Sequence, residues 1–406
     1  MPNLNDLPDD FLDDYLDEAR ALDANNPLRE ARDAFDLPAD HTYFLGNSLG
    51  PLTHAARAAV QSAVDTEWRV GLVRTWHDGD WLDLARATGD RIAHIIGAPT
   101  GSVIAGDSTS VALFKVLSAA ASLNASAARR VLLCDSNNFP TDRYVARSVA
   151  DLHGLEFVEL PVPEMAARFG PDVAVMTASM IDFRTADVHD TASVTAAAHA
   201  AGVLTVWDLA HAAGAVKCDV EANDIDFAVG CGYKYLNGGP GAPAFMYAAP
   251  RLVNHVTQPI PGWFGHAEPF AFEDAYRPAE GIERFSSGTT HVLSMKALHA
   301  SLGLFQRYSV DDIRSTCVNL GDFFVKGYDA FLSDSGFALG SRRNGSARGG
   351  HIALLHPEAE QMTNTLISKG HIVDFRPPNV IRVAFSPLYL RFADVASLVR
   401  LLATLS

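Results

Sequence analysis

The chain has 406 residues, enough for a large domain and a smaller one. Hydrophobic residues make up 48%, the formal net charge is −16 and the sequence pI is about 5.3, which suits a globular enzyme and disfavours nucleic acid or an anionic membrane as partner. No apolar stretch approaches the roughly 20 residues that span a bilayer, and the acidic N-terminus (Asp6, Asp9, Asp10, Asp13, Asp14) lacks the basic and apolar regions of a signal peptide. Cys134, Cys218, Cys231 and Cys317 form no C-x-x-C pair, which fits a reducing cytoplasm.

In chain order, Phe11, Leu12, Tyr15, Leu16 and Ala19 recur at helical spacing. Tyr43-Phe-Leu-Gly-Asn-Ser-Leu-Gly-Pro51 reads as a short strand entering a glycine-rich turn, and Thr53 caps a helix expected to run to Arg69. Strand-like apolar runs follow at Val131–Asp135, Leu155–Leu160, Val173–Thr177, Leu204–Asp208, Phe227–Cys231 and Ala244–Tyr247. Helix-like segments separate most of them, such as Thr191 to Ala201, closed by Gly202. Continuous apolar strands alternating with helices predict an α/β fold, a mostly parallel sheet covered on both faces, with ligands at the carboxyl ends of its strands. From about Leu298 a long helical stretch passes Phe305, Leu320, Phe324 and Tyr328, and strands are expected at His351–Leu355 and Val380–Ala384. This predicts an N-terminal segment (1–45), a large domain (46–300) and a small α+β domain (301–406), the first packing with the last.

Lys234 stands out. It lies in Gly-Cys-Gly-Tyr-Lys-Tyr-Leu-Asn-Gly-Gly-Pro-Gly, between aromatics and just after an apolar strand, a poor place for a surface charge. Burial lowers an amine's pKa and makes it a nucleophile for carbonyls. Asp208 ends the preceding strand, with His211 three residues on. A lysine to form a Schiff base and an acid to pair with a pyridine nitrogen are what pyridoxal phosphate requires. Asp208 could instead cap a helix, a common role for Asp at such a place, or form a catalytic dyad or metal pair with His211, metal being less attractive because no third ligand lies close in sequence. Ser108 and Thr109 open a helix whose free amides would face a phosphate, or they simply cap it. Phe139, in Asn138-Phe-Pro-Thr-Asp142, could stack on a flat ring or anchor its loop. Gly262-Trp-Phe-Gly-His266 could wall a site or fill an interface, and Thr289 in the next glycine-hydroxyl turn could reach an anion. Arg382, inside Val380-Ile-Arg-Val-Ala384, points either to an internal salt bridge or to a substrate carboxylate held in a bidentate fork.

Together these stretches resemble the kynureninases, fold-type-I pyridoxal phosphate enzymes related to class V aminotransferases. The matching blocks are Tyr43–Gly50, Phe139–Asp142, Trp207-Asp-Leu-Ala-His-Ala-Ala-Gly214, Gly232–Gly241, Gly262–His266 and Pro387-Leu-Tyr389. The resemblance implies hydrolysis of L-kynurenine to anthranilate and L-alanine, in tryptophan degradation or NAD biosynthesis by the kynurenine pathway. It implies Lys234 as cofactor anchor and base, Asp208 on the pyridine nitrogen with His211 beside it, and Phe139 stacked on the ring. Pro140, Thr141 and Asp142 would wrap the cofactor, Ser179 would touch it, and Ser108, Thr109 and Tyr233 would bind its phosphate, Tyr233 also relaying protons. Trp263 and Thr289 would reach the phosphate from the neighbouring subunit of a cytoplasmic homodimer. Arg382, Trp76 and Ser48 would contact substrate, and the bulk of Trp76 tilts the preference from 3-hydroxy-L-kynurenine toward L-kynurenine. The chain departs from the family pattern at Ala186, where relatives usually have glycine, and at Thr290-His291, which replaces a proline-containing turn. Two rival readings are a cysteine desulfurase or selenocysteine lyase, which needs a reactive cysteine on a mobile loop, and a non-catalytic ligand-binding protein on the same fold. Cys317, in a helical run, suits packing better than reactivity.

Overall fold

The computed structural model describes residues 9–405, with side chains from Asp13 onward, so Asp6 and the side chains of Asp9, Asp10, Phe11 and Leu12 lie outside the described residues. The strands are β1 (Thr42–Tyr43), β2 (Val103–Gly106), β3 (Val131–Asp135), β4 (Glu156–Leu160), β5 (Val173–Ser179), β6 (Leu204–Asp208), β7 (Phe227–Cys231) and β8 (Ala244–Ala248). They continue with β9 (Ala338–Leu339), β10 (His351–Leu355), β11 (His371–Ile372), β12 (Asp374–Arg376) and β13 (Val380–Ala384).

One seven-stranded sheet has the order β2-β8-β7-β6-β5-β3-β4. Its β4, β3, β5, β6 and β7 run parallel, and β8 is antiparallel to β7 and β2. The central strands β3, β5 and β7 are buried along their whole length, which is why they read as unbroken apolar runs. The expected strands appear in place, with β5 extended to Ser179. That extension pairs Ser179 with Asp208 across β5 and β6, putting both at the carboxyl edge.

The smaller sheet, β12-β13-β10-β9, is antiparallel. The N-terminal helix Asp9–Ala24 packs beside it. Tyr15 stacks on Phe323 at 4.3 Å and donates a hydrogen bond to its carbonyl (2.8 Å). Asp23 accepts from the amides of Phe392 and Ala393, capping the last helix, Phe392–Leu405. β1 joins this side of the molecule by pairing with β11.

Two helical expectations change. Thr53 does cap a helix, accepting from the Ala56 amide at 3.0 Å, but the α-form ends at Ser62 and a π-helix continues over Ala63–Gly71. The Thr75 hydroxyl takes the Glu67 carbonyl (2.7 Å), an intrusion of the kind that shifts helical register. The long stretch after Leu298 is three helices, Val292–Ser301, Leu304–Arg307 and Val310–Phe331, the last restarted by Ser309 as N-cap.

The turn after β1 meets the Lys234 segment without a gap. The Gly50 amide donates to the Tyr233 carbonyl (2.7 Å), and a Cβ on Gly50 would lie 2.5 Å from the Lys234 carbonyl oxygen. Glycine is required here by close approach. Ala186 shows the opposite case: it is buried at φ 64, a left-handed conformation that glycine adopts freely and alanine does not. Ala186→Gly is therefore expected to be neutral or stabilising, by up to about 1 kcal/mol in urea unfolding. A loss of about 1 kcal/mol, the usual helical Ala→Gly penalty, would show that no strain is relieved.

Candidate active site

A cavity of about 310 Å³ lies at the carboxyl edge of the large sheet, near the lower limit for small-molecule sites. Ser48, Thr109, Phe139, Thr141, Asp142, Ser179, Asp208, His211, Tyr233, Lys234 and Arg382 all line it. Asn47, Ser110 and Arg376 line it too, and sequence reasoning did not single them out. Ser108 caps helix Thr109–Asn124, its hydroxyl accepting from the Val111 amide at 3.5 Å, while Thr109 and Ser110 face the cavity. Pro140 opens helix Pro140–His153 and borders a small neighbouring pocket.

Lys234 is half-buried rather than buried, because its side chain faces the cavity. Its ammonium lies 5.8 Å from the Tyr233 ring centroid. Asp208 is held firmly: Oδ1 accepts from the Ala210 amide (2.8 Å) and Oδ2 from the Ser179 hydroxyl (3.4 Å). Asp208 therefore makes a tight turn onto Ala210, and no helix follows for it to cap. Asp142, in the first turn of helix Pro140–His153, lines the same cavity as Asp208, close enough for the two carboxyls to feel each other's charge. Burial, and then the charge of Asp208, push the Asp142 carboxyl well above the ordinary carboxylate range. Burial also raises Asp208, against the pull of Lys234. Both shifts favour one proton held by the pair, on the Asp142 side, where the push is larger.

Burial, then the Lys234 charge, hold the His211 imidazole well below its usual value, so it is neutral. His351 lies behind it, ring centroids 5.7 Å apart, pushed down to about 3 by burial and Arg382. Tyr233 is pushed up, first by burial and then by the adjacent Cys231 thiol, so its phenol keeps its proton.

Lys115 supports the Thr109 end. It is fully buried, donating to Asp107 (2.5 Å) and to the Phe285 carbonyl (2.9 Å). Asp107 sits at φ 55, and this ion pair secures the turn that delivers Ser108 and Thr109. A lysine inside Val-Ala-Leu-Phe-Lys-Val-Leu was the available sequence signal.

Arg382 is buried, and of its two sequence readings the internal salt bridge is present. Its Nε donates to Asp374 Oδ1 (2.9 Å) and its Nη2 to Oδ2, so the side-on fork is taken by an internal carboxylate. Nη1 donates to the Phe183 carbonyl (2.9 Å) and Nη2 also to the Ser48 hydroxyl (3.1 Å). The expectation of a free bidentate fork is corrected on this point.

Trp76, Trp263 and Thr289 are absent from the cavity lining, and the fold brings Trp76 and Trp263 together around Phe264. Phe264 lies 5.8 Å from Trp76 and 4.1 Å from Trp263, ring to ring. The Phe264 amide donates to the Ser287 carbonyl (3.2 Å), and a Cβ on Gly262 would lie 2.1 Å from that oxygen. The Trp263 loop and the turn leading to exposed Thr289 are thus one packed unit.

The raised Asp142 carboxyl gives a pH prediction. The folded chain holds a proton that the unfolded chain releases near 3.8, so this stabilisation is complete below that pH and is lost as pH rises through the folded value. Cofactor-free Asp142→Asn should gain on wild type between pH 5 and pH 8, by about 1 kcal/mol or more. Urea unfolding at both pH values reads this, and a difference that does not change with pH would contradict it.

The family profile of the kynureninase C-terminal domain matches residues 313–402, and that of class-V aminotransferases matches 77–331. A kynureninase from Deinococcus radiodurans is 42% identical over 94% of this chain and 93% of its own. One from Pseudomonas fluorescens is 39% identical over 94% and 93%. Among solved structures, a C-DES mutant with glycine covalently linked to its PLP cofactor superposes with a TM-score of 0.82 at 17% identity, covering 92% of this chain and 98% of that one. An apo cysteine desulfurase from Thermococcus onnurineus gives 0.78 at 16%, covering 93% and 97%. At those identities the structures share the fold, whereas the sequence relatives share identity along nearly the whole chain. This chain belongs to the kynureninase family.

Proposed function

We propose that this cavity hydrolyses L-kynurenine to anthranilate and L-alanine with pyridoxal phosphate as cofactor. The observation that carries the reading is one cavity in which Lys234 meets the Asp142–Asp208 pair and also meets Arg382. The residues present fit the cofactor. Thr109 Oγ1, Asp142 Oδ2 and His211 Nδ1 are buried without hydrogen-bond partners, all at this cavity. Such atoms are costly unless a bound group satisfies them. Ser108, Thr109 and Tyr233 would hold the phosphate, Phe139 would cover the ring beside Pro140 and Thr141, and Ser179 would act through its bond to Asp208.

When bound, the cofactor supplies an electron sink for loss of the substrate α-proton and for Cβ–Cγ cleavage. Lys234 Nζ anchors it and then takes the α-proton. Asp208 would carry the negative charge that keeps the pyridine nitrogen protonated, and Asp142, held neutral, would add no second charge. His211, neutral, adds none. Water adds to the Cγ carbonyl, Cγ leaves as the carboxyl of anthranilate, and Tyr233, whose phenol stays protonated, would deliver or relay the proton needed at Cβ of the alanine product. Arg382 orients the amino-acid carboxylate from the opposite end, beside Ser48.

We further read the active protein as a homodimer with shared sites. The Trp76–Trp263–Thr289 unit lies outside its own cavity and would complete the neighbour's, with Trp76 against the substrate ring. A separate apolar groove of about 980 Å³, lined by Leu37, Tyr43, Leu49, Leu52, Val60 and Leu293, offers the covering surface for a second copy. It abuts Asn237–Pro240, the turn after Lys234. The divisions 1–45, 46–300 and 301–406 are retained, supported by a large sheet within 103–248 and a smaller one within 338–384. No described helix is long and apolar enough to cross a membrane, and all four cysteines are free and buried, which favours the cytoplasm. The same burial counts against a desulfurase: Cys317 lies in helix Val310–Phe331 with its thiol pushed up, so it is no ready nucleophile.

Lys234→Ala is expected to fold but to release no anthranilate, read by fluorescence. Subunit exchange with an impaired Trp263→Ala chain should restore activity to about a quarter of wild type, because mixed dimers hold one intact site. Wild-type-like turnover by Lys234→Ala would sink the assignment, and absence of complementation would remove the shared sites.

A further inference from the structure

The substrate end of the cavity contains a second guanidinium. β12 pairs antiparallel with β13, placing Asp374 directly across from Arg382, and Arg376 lies two residues on, along the same strand face. Arg376 lines the cavity with Arg382. Its Nη2 donates to Asp374 Oδ2 (2.9 Å), while its Nε is shielded from solvent and has no hydrogen-bond partner. Asp374 also accepts from the Ser48 hydroxyl (3.2 Å), so one carboxylate is surrounded by two arginines and a serine.

Donor bookkeeping shows why this matters. A guanidinium has five N–H donors. Arg382 uses one on Phe183, two on Asp374 and one on Ser48, leaving too few for an incoming carboxylate to be gripped twice. The cluster of two guanidiniums and one carboxylate has a net charge of one positive unit, which a single monocarboxylate would cancel. Buried charges left uncancelled are expensive.

We propose that the α-carboxylate of the substrate is shared between Arg382 and Arg376, with Asp374 as the positioning residue that fixes both guanidiniums. Arg376 is then a substrate-binding residue, donating from Nε, and Arg382 supplies its remaining Nη1 donor. This rests on the kynurenine reading and refines which groups recognise the amino acid. The side chain of Arg376 is 38% exposed, so its replacement leaves the core intact.

The test compares ligands with and without the carboxylate on the holoenzyme. Arg376→Gln should raise KM for L-kynurenine about 10- to 100-fold, the range for a lost charge-assisted hydrogen bond, with kcat changed less than about threefold, as for uniform binding. The dissociation constant of L-alanine, read from the absorbance change on binding to the holoenzyme, should rise in step, and that of kynuramine, which lacks the carboxylate, should not move. Arg376→Lys should recover part of the loss. An unchanged KM, or an equal loss for kynuramine, would overturn the proposal. Wild-type turnover of L-kynurenine in the same assay separates this from the parent reading: if wild type is inactive, the activity assignment fails, whereas the L-alanine and kynuramine comparison still reports on Arg376.

Discussion

Two carboxyl groups buried beside one another inside a protein cannot both ionise at ordinary cost. Asp142 and Asp208 are such a pair, and the positive charge beside them is Lys234. The arrangement depends on the sheet. β6 ends at Asp208, β5 extends to put Ser179 next to it, and the loop after β3 turns at Pro140 so that Asp142 arrives on the first turn of a helix. Each support is made from backbone or from a short side chain, so the pair has little freedom to separate. One shared proton leaves a single negative charge facing the cavity, the amount a pyridinium nitrogen needs.

The opposite end repeats the logic with the sign reversed. Arg376 and Arg382 share Asp374 and leave a single positive charge. Between these poles stands Lys234, on a turn packed tightly against Gly50, so the block from Tyr43 to Gly50 and the Lys234 block form one wall. A zwitterionic amino acid has a natural orientation in such a field, carboxylate toward the arginines and reacting carbon toward the lysine and cofactor. Behind the poles the two histidines are kept neutral by burial and by nearby cations, so the charge pattern is set by few groups.

Much of this was legible in the sequence because the large sheet is buried on both faces. Continuous apolar runs such as Val131–Asp135 and Phe227–Cys231 fall within residues where the strands form, and Asp208, which ends the run Leu204–Asp208, becomes a site residue. Contacts across the fold were not legible. Nothing local says that Asp142 shares a cavity with Asp208, since helix Pro140–His153 and β6 meet only through the tertiary arrangement. The Asp374–Arg382 pairing is a matter of hairpin register, which a sequence with Pro377, Pro378 and Asn379 at the turn does not specify. The π-helix after Ser62 was not legible, and the Thr75 hydroxyl that bonds its Glu67 carbonyl comes from beyond it. Lys115 could have been found, as a charge inside an apolar helical run always needs a partner.

The central claim is that the acid pair holds one proton at neutral pH. Carboxyl carbon-13 NMR of cofactor-free protein labelled at aspartate, with Asp142→Asn for assignment, tests it most directly. The account predicts a buried resonance that stays protonated well above the ordinary range of about 4 and disappears in Asp142→Asn. Two carboxyls that both ionise near that ordinary value would contradict it.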